Sequence, residues 1–211
     1  MIEQETITIK NNLVVETGID TVLIKVASRC NINCGYCYVY HLGDDNWAKM
    51  EKLISFDTID AVCDSLIKLA EYQKMGFSIV LHGGEPLLLG VAKLNRILDT
   101  LRKIFPNRNK FPISIQSNGI LITNEILDVC SKHQTSISIS IDGPKEVHDK
   151  MRVGHRGYGT FDEVLKGIML LKSHKDSSFL YAGLLAVIDP YSNPNEVYQF
   201  FKKLAPPSVD F

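Results

Sequence analysis

The chain has 211 residues, 45% of them hydrophobic, which is enough for one domain with a sizeable core. Its formal net charge of -1, with the two signs interspersed, excludes the basic surface that nucleic-acid binding needs. No apolar run approaches the ~20 residues of a membrane-spanning helix, so neither nucleic acid nor membrane is an expected partner.

The N-terminal segment is expected to lie outside the main domain. Residues 6–15 alternate around Asn11-Asn12 and predict a small β-hairpin, within an extension covering residues 1–18. The first residues mix charged and polar side chains without an apolar core, which is atypical of a secretory signal peptide. We therefore expect a cytoplasmic, reducing location, where clustered cysteines bind metal or do chemistry.

From residue 19 to residue 211 the pattern predicts one α/β domain. Short β-branched runs alternate with helical patterns, as in a parallel sheet built from βα units. The predicted strands are residues 22–27, 77–81, 113–116, 136–141 and 179–187, with a sixth beginning at 208–211. The fold expected is a partial, open βα barrel with parallel strands, cut short at its sixth strand.

Helical spacing separates these strands, and three helix starts carry clear signals. The first helix is predicted over residues 55–75, and another begins near Thr123. Thr160 with Glu163 matches a capping box, in which the two side chains satisfy each other's backbone donors. Asn193 before a proline predicts the cap of the last helix.

Every motif with chemical potential follows one of the predicted strands. In order they are Cys30, Cys34 and Cys37, then Gly83-Gly84-Glu85-Pro86, then Ser117-Asn118-Gly119, then Ser140-Ile141-Asp142-Gly143. Active sites of βα barrels assemble at the carboxyl-end rim of the strands. We therefore expect these four loops to converge on one rim.

The three clustered cysteines have the spacing C-x3-C-x2-C. A structural zinc site wants four closed ligands, and a cubane iron–sulfur cluster held by cysteine alone also wants four. Three thiolates leave one iron of a cubane free to take a ligand or substrate from solution. A zinc site in which His41 joins the three cysteines is the alternative that the residues leave open.

With the aromatic Tyr36 before its last cysteine, this loop resembles the cluster loop of radical S-adenosyl-L-methionine (radical SAM) enzymes. The other motifs stand in that family's order, and the resemblance covers residues 22–189. It implies that Cys30, Cys34 and Cys37 hold a [4Fe–4S] cluster whose unique iron chelates the amino and carboxylate groups of SAM. An electron from such a cluster cleaves SAM to methionine and a 5′-deoxyadenosyl radical.

The second motif resembles the GGEP motif of the family, which binds the methionyl amino group of SAM. Gly83 and Gly84 let the backbone approach a ligand closely. Exposed carbonyl groups, together with the side chain of Glu85, can accept hydrogen bonds from an ammonium group. Taken alone, the same four residues are also typical of an ordinary tight turn.

The later motifs imply the rest of the SAM site. By resemblance, Ser140 contacts the ribose, Arg152 contacts the carboxylate, and Ser117 and Asn118 lie at the adenosine side. A guanidinium group suits a carboxylate in geometry and charge. Asn118-Gly119 is also a plain turn signal, and Arg152 alone would be read as a surface arginine.

Three histidines and two cysteines outside these motifs also have reactive side chains. His82, His148 and His155 have no partner that the sequence identifies, and we expect them to be structural or solvated. Cys63 and Cys130 lie on the apolar stripes of predicted helices, so buried core thiols are expected there. No residue stands out as a general base, and the catalytic residues stay unassigned.

Residues 37–40 and 43–47, and the segment from residue 142 to residue 162, resemble the peptide-modifying branch of the family. That branch includes enzymes that install cyclophane or other crosslinks on ribosomally made peptides, and anaerobic sulfatase-maturing enzymes that produce formylglycine. The resemblance implies a precursor peptide as substrate and an external electron donor of the flavodoxin or ferredoxin type. Relatives also carry a C-terminal domain with auxiliary clusters, and this chain has no cysteine after Cys130. Two alternatives are a radical SAM enzyme acting on a small molecule and a zinc- or cluster-binding scaffold.

Overall fold

The computed structural model describes residues 7–9, 13–15 and 18–211. Its strands are β1 Ile7–Ile9, β2 Leu13–Val15, β3 Thr21–Ala27, β4 Ser78–Gly83, β5 Ile113–Ser117, β6 Thr135–Ser140, β7 Tyr181–Leu185 and β8 Val209–Asp210. Its α-helices are α1 Asn46–Lys49, α2 Phe56–Gln73, α3 Gly90–Ile104, α4 Asn124–Lys132, α5 Lys145–Met151, α6 Phe161–Ser173, α7 Ser177–Leu180 and α8 Pro194–Leu204. None of the described helices combines the length and the apolar content needed to cross a bilayer.

The main sheet has six strands, β3 to β8, in chain order. All neighbouring strands pair in parallel, and β3 and β8 are the two edges. The α/β class and the open barrel of parallel strands are therefore confirmed. β1 and β2 pair antiparallel, in agreement with the hairpin prediction, whereas the predicted turn at Asn11-Asn12 lies outside the described residues.

The sheet separates an apolar outer layer from a polar inner face. Alternate residues of β4, β5 and β6 are buried, as expected for strands with helices on one side only. The outer residues pack on helices such as α3, whose Leu94, Ile97, Leu98 and Leu101 are 0% exposed. Each such side chain contributes about 2 kcal/mol through burial of apolar surface. Cys63 and Cys130 are buried in the same core, which confirms their expected place.

The fifth strand of the barrel is shorter than the sequence predicted. Residues 177–180 form the single turn α7, because the backbone N–H groups of Phe179 and Leu180 donate to the carbonyl of Asp176. At the other end, the N–H of Val187 donates to the side chain of Asp142, not to a neighbouring strand. The strand therefore covers only Tyr181–Leu185.

The predicted capping box at the start of α6 is wrong. The Thr160 hydroxyl makes no cap hydrogen bond, because it donates to the carbonyl of Arg152 at 2.7 Å. The side chain of Asp149 takes the first backbone N–H of the helix instead, at 2.9 Å from the nitrogen of Phe161. The other caps agree with prediction, since Thr123 and Asn193 each accept from a backbone N–H of their own helix.

Candidate functional site

The cysteine loop follows β3 directly and is hydrogen-bonded to the end of α5 and to the residues just after it. The backbone N–H of Asn33 donates to the carbonyl of Val153 at 2.7 Å, and that of Gly35 donates to Met151 at 2.8 Å. These bonds hold the loop over the carboxyl ends of the strands. The three thiols of the loop line one cavity of about 340 Å³.

The thiols are partly withdrawn from water. Burial raises the pKa of Cys30 to about 11, and it also raises the pKa of Cys34, where the charge of Arg152 acts in the opposite direction. Metal ligands must be thiolates, so metal uptake at this loop releases protons. The raised pKa values of Cys30 and Cys34 therefore oppose thiolate formation until a metal binds.

The zinc alternative lacks a converged set of ligands. The ring of His41, its proposed fourth ligand, pairs with the side-chain oxygen of Asn33 at 3.1 Å. Among residues 18–211, no three His, Cys, Asp or Glu side chains are arranged to hold a single ion. In this arrangement the His41 ring is therefore engaged with Asn33.

Gly83 and Gly84 are required by the close approach of the cysteine loop. The N–H of Gly84 donates to the carbonyl of Ala27 at 2.8 Å. A Cβ at Gly83 would overlap the backbone of Ala27, and one at Gly84 would overlap the Arg29 carbonyl and the Tyr40 hydroxyl. Both glycines also line the cavity, so the same backbone is accessible to a ligand.

The carboxylate of Glu85 accepts hydrogen bonds from internal donors, whereas the sequence analysis expected it to accept from the ammonium group of a ligand. It is 0% exposed, and it accepts from the N–H of Leu87 at 2.9 Å, the hydroxyl of Ser117 at 2.9 Å and the N–H of Asn118 at 2.8 Å. Burial raises the pKa of Glu85, while these three donors favour its charged form. The side chain thus ties two loops together and does not offer a free acceptor to an ammonium group.

Ser117 and Asn118 lie at the cavity, as expected, but their side chains are already engaged. The Ser117 hydroxyl donates to Glu85 and accepts from the N–H of Gly119 at 3.0 Å. The amide of Asn118 donates to the side-chain oxygen of Asn31, in the cysteine loop, at 2.7 Å. Both residues therefore support the walls of the cavity.

Ser140 has a hydrogen left to donate. Its oxygen accepts from the amide of Gln116 at 2.9 Å, and the described residues include no acceptor for its own O–H. Because Ser140 and Gln116 both line the cavity, the hydroxyl is available to a ligand there.

Three side chains form a hydrogen-bonded series that joins the cysteine loop to two loops distant in the sequence. Arg152 donates through Nη1 to the hydroxyl of Tyr36 at 2.8 Å, and Tyr36 donates to the Asp142 carboxylate at 2.7 Å. The other oxygen of Asp142 accepts from the N–H of Val187 at 3.1 Å. Arg152 is 7% exposed, yet its Nε–H has no acceptor in the described residues. A buried guanidinium donor at the cavity wall is suited to an incoming carboxylate.

His148 contacts one member of this hydrogen-bonded series, Asp142, and is structural, as expected. Its Nδ1 accepts from the N–H of Asp142 at 3.4 Å, and its Nε2 lies 3.1 Å from the hydroxyl of Thr160, which itself donates to Arg152. These contacts fit a neutral ring with the proton on Nε2. Burial, reinforced by the charge of Arg152, lowers the pKa of His148 to about 4.

His148 makes stability sensitive to acid. The unfolded chain takes up a proton at the ordinary histidine pKa of about 6.5, whereas the folded chain resists protonation until about pH 4. Acidification from pH 7.5 to pH 5 should therefore cost about 2 kcal/mol through this residue alone. Urea unfolding of the wild type and His148→Gln at both pH values measures it: the variant should lose less stability by that amount. Equal losses in the two proteins would contradict the assignment.

Three cavity residues were missed or set aside by the sequence reasoning. His82 and Gln116 line the cavity from the inner face, and Asp142 anchors Tyr36. The period-two alternation of β4 and β5 places His82 and Gln116 on that face, and this alternation was the sequence signal that could have identified them.

His155, for which the sequence identified no partner, does have one: its ring lies 3.0 Å from the carbonyl oxygen of Cys30.

Comparison with known proteins gives consistent matches. The profile of the radical SAM superfamily matches residues 24–203. A cysteine-type anaerobic sulfatase-maturating enzyme of Clostridium perfringens is 30% identical over 187 residues, which cover 87% of this chain and 48% of that protein. The radical SAM cyclopropyl synthase TigE of Paramaledivibacter caminithermalis is 28% identical over 176 residues, or 77% of this chain and 35% of that protein.

Solved structures agree in fold. Native anSMEcpe with bound AdoMet superposes with a TM-score of 0.75 at 26% identity, over 90% of this chain and 51% of that one. The same protein with bound AdoMet and Kp18Cys peptide gives a TM-score of 0.74 at 26% identity, over 90% and 49% of the two chains. The chain thus spans about half the length, or less, of the proteins that it matches.

Proposed function

This chain belongs to the radical SAM superfamily, and on that premise we propose that it cleaves SAM reductively in order to modify a peptide side chain. The observation that carries the proposal is the single cavity that gathers three cysteines and an arginine with a free buried donor. The cofactors of the family are a [4Fe–4S] cluster and SAM.

The residues present fit these cofactors. Cys30, Cys34 and Cys37 would hold three irons of a cubane cluster and leave the fourth open for SAM. Arg152 would direct its Nε–H to the methionyl carboxylate, and Ser140 would donate to the ribose. A volume of about 340 Å³ is within the usual range for small-ligand sites. When bound, the cluster supplies the electron that converts SAM into methionine and a 5′-deoxyadenosyl radical.

The proposed substrate is a ribosomally made peptide, from which the radical abstracts a side-chain hydrogen. Support comes from the matched structure that holds AdoMet together with a peptide. The outcome we propose first is a crosslink of the cyclophane type. The similarity to a cysteine-type sulfatase-maturating enzyme favours formylglycine formation as the second candidate. A hydrazide reagent separates the two on a modified peptide, because only formylglycine contains an aldehyde.

The first test is anaerobic reconstitution with iron and sulfide, followed by reduction in the presence of SAM. The expected result is about four irons per chain and the release of 5′-deoxyadenosine, measured by liquid chromatography and mass spectrometry. Dithionite replaces the flavodoxin- or ferredoxin-type donor that we propose as the natural partner. Zinc binding without assembly of an iron cluster would overturn the proposal.

Asp142 is proposed as a positioning residue for SAM, because it orients Tyr36 and through it Arg152. In Asp142→Asn the amide no longer provides a charge opposite Arg152, and SAM should bind about tenfold more weakly. Equilibrium dialysis of SAM measures this, with iron content as a check on cluster assembly. Asp162→Asn, whose side chain is 77% exposed, is the matched control and should bind SAM normally. Equal affinities in the two variants would count against the positioning role.

A further inference from the structure

The inner face of the barrel contains a pair of basic residues that the proposed SAM site does not use. Lys25 of β3 and His82 of β4 are register partners on adjacent parallel strands. Their sequence neighbours Ile24, Val26 and Leu81 are 4%, 0% and 0% exposed on the opposite, helix-covered face. Because side chains alternate along a strand, Lys25 and His82 both lie on the inner face of the sheet, about 5 Å apart at the backbone, and Lys25 is exposed there.

Two cavities meet at this pair. His82 lines the 340 Å³ cavity that contains the three cysteines, and Lys25 lines a second cavity of about 490 Å³. The residues common to both linings are Tyr38, Val39, Gly83 and Gly84. A molecule in the second cavity would therefore lie directly beside a ligand in the first.

Within the part of the chain that the structure describes, the side chain of Lys25 has no polar partner. It makes no ion pair and no side-chain hydrogen bond with the described residues. Asp44 and Glu51 line the same cavity, but neither lies within ion-pairing distance of it. The neighbouring inner-face residues of β5 and β6 are neutral: Ser114, Gln116, Ser136, Ser138 and Ser140.

His82 adds a polar ring beside the lysine. Burial, and then the charge of Lys25, lower the pKa of His82 and so favour the uncharged ring, while a backbone hydrogen bond with Gly83 acts in the opposite direction. Its ring makes no hydrogen bond with another side chain of the described residues, and its one polar contact is with the backbone of Gly83. Together the two residues place one positive charge beside one polar ring.

We propose that Lys25 and His82 form a subsite for a carboxylate of the peptide substrate. The inference rests on the proposed function and adds the chemical class of a recognised group, next to the cavity that contains the three cysteines. A carboxylate would form a charge-assisted hydrogen bond with the ammonium of Lys25, beside the ring of His82. Tyr38 and Met50, 57% and 63% exposed at the rim of this cavity, offer apolar contact to the flanking peptide.

The test is selection from random dodecapeptide libraries on beads, with anaerobically reconstituted protein in the presence of SAM. One library has amidated C-termini and the other has free C-termini. The wild type should enrich Asp or Glu at one position, or a free C-terminus, by about tenfold. The amidated library identifies a side-chain carboxylate, and enrichment confined to the free library identifies the terminal one.

Charge changes at Lys25 decide the assignment. Lys25→Met should abolish the preference for a carboxylate, and Lys25→Glu should replace it with a preference for Lys or Arg. Lys68→Met, on the exposed face of α2, is the matched control and should select as the wild type does. A wild type without the preference, or a preference that survives in Lys25→Met, overturns the proposal. So does a Lys25→Met protein that loses SAM affinity as strongly as peptide selectivity, because Lys25 would then serve SAM.

This outcome is independent of SAM cleavage. If a Lys25-dependent preference is found but no 5′-deoxyadenosine forms under reduction, the proposed function fails and the subsite stands. If 5′-deoxyadenosine forms and selection shows no dependence on Lys25, the subsite fails and the proposed function stands.

Discussion

Replacement of Cys34 by alanine is expected to abolish cluster assembly and to reduce 5′-deoxyadenosine formation by more than about a hundredfold. Cys34 is the central cysteine of the three and is only 9% exposed. Two thiolates cannot replace three as ligands of a cubane, because a second iron would lose its protein ligand. Iron content, the visible absorption of the cluster and product release after reduction measure the effect.

Cys63→Ala provides the matched control within the same chain. Cys63 is a free cysteine, 2% exposed on α2, and belongs to the apolar core away from the cavity. Its loss removes one sulfur atom from the core and should cost about 1 kcal/mol of stability. Iron content and product release should match the wild type. If Cys34→Ala loaded iron as Cys63→Ala does, the cysteine loop would not be the cluster site.

The sequence predicted the parts of the site that depend on local pattern. The cysteine spacing, the paired glycines and the strand ends are all legible within a few residues. Parallel strands then bring the motifs to one rim, so the convergence of Cys30, Gly83, Ser140 and Arg152 on a single cavity followed from topology.

The local sequence pattern could not predict the hydrogen-bond partners of the polar side chains. Tyr36 and Asp142 are 106 residues apart in the chain, and only the fold shows that they share a hydrogen bond. α5, which carries His148, is a seven-residue helix that the sequence reasoning did not identify. Thr160 had the right spacing for a cap, but a tertiary hydrogen bond to Arg152 took its hydroxyl. Tertiary contacts thus decided the roles that propensity left open.

A second large effect is expected on the stability of the variant Glu85→Gln, because the partners of this side chain are tertiary contacts. The amide keeps the size of the carboxylate but offers one acceptor oxygen to the N–H groups of Leu87 and Asn118 and the hydroxyl of Ser117. At least one buried donor then faces the amide nitrogen without a partner. We expect a loss of about 3 kcal/mol in the free energy of unfolding, measured with urea. Glu71→Gln, on the exposed face of α2, should change stability by less than about 0.5 kcal/mol.

This measurement also separates two roles for Glu85. If the carboxylate holds the glycine loop against β5, the main effect of the substitution should be a lower free energy of unfolding. Any loss of SAM affinity should then be a consequence of the displaced loops. If the carboxylate instead accepts directly from the ammonium group of SAM, affinity should fall while stability is nearly unchanged. The complete burial of Glu85 and its three internal donors favour the first result. Near-normal stability with weak SAM binding would contradict it, and would mean that the loops rearrange when SAM is bound.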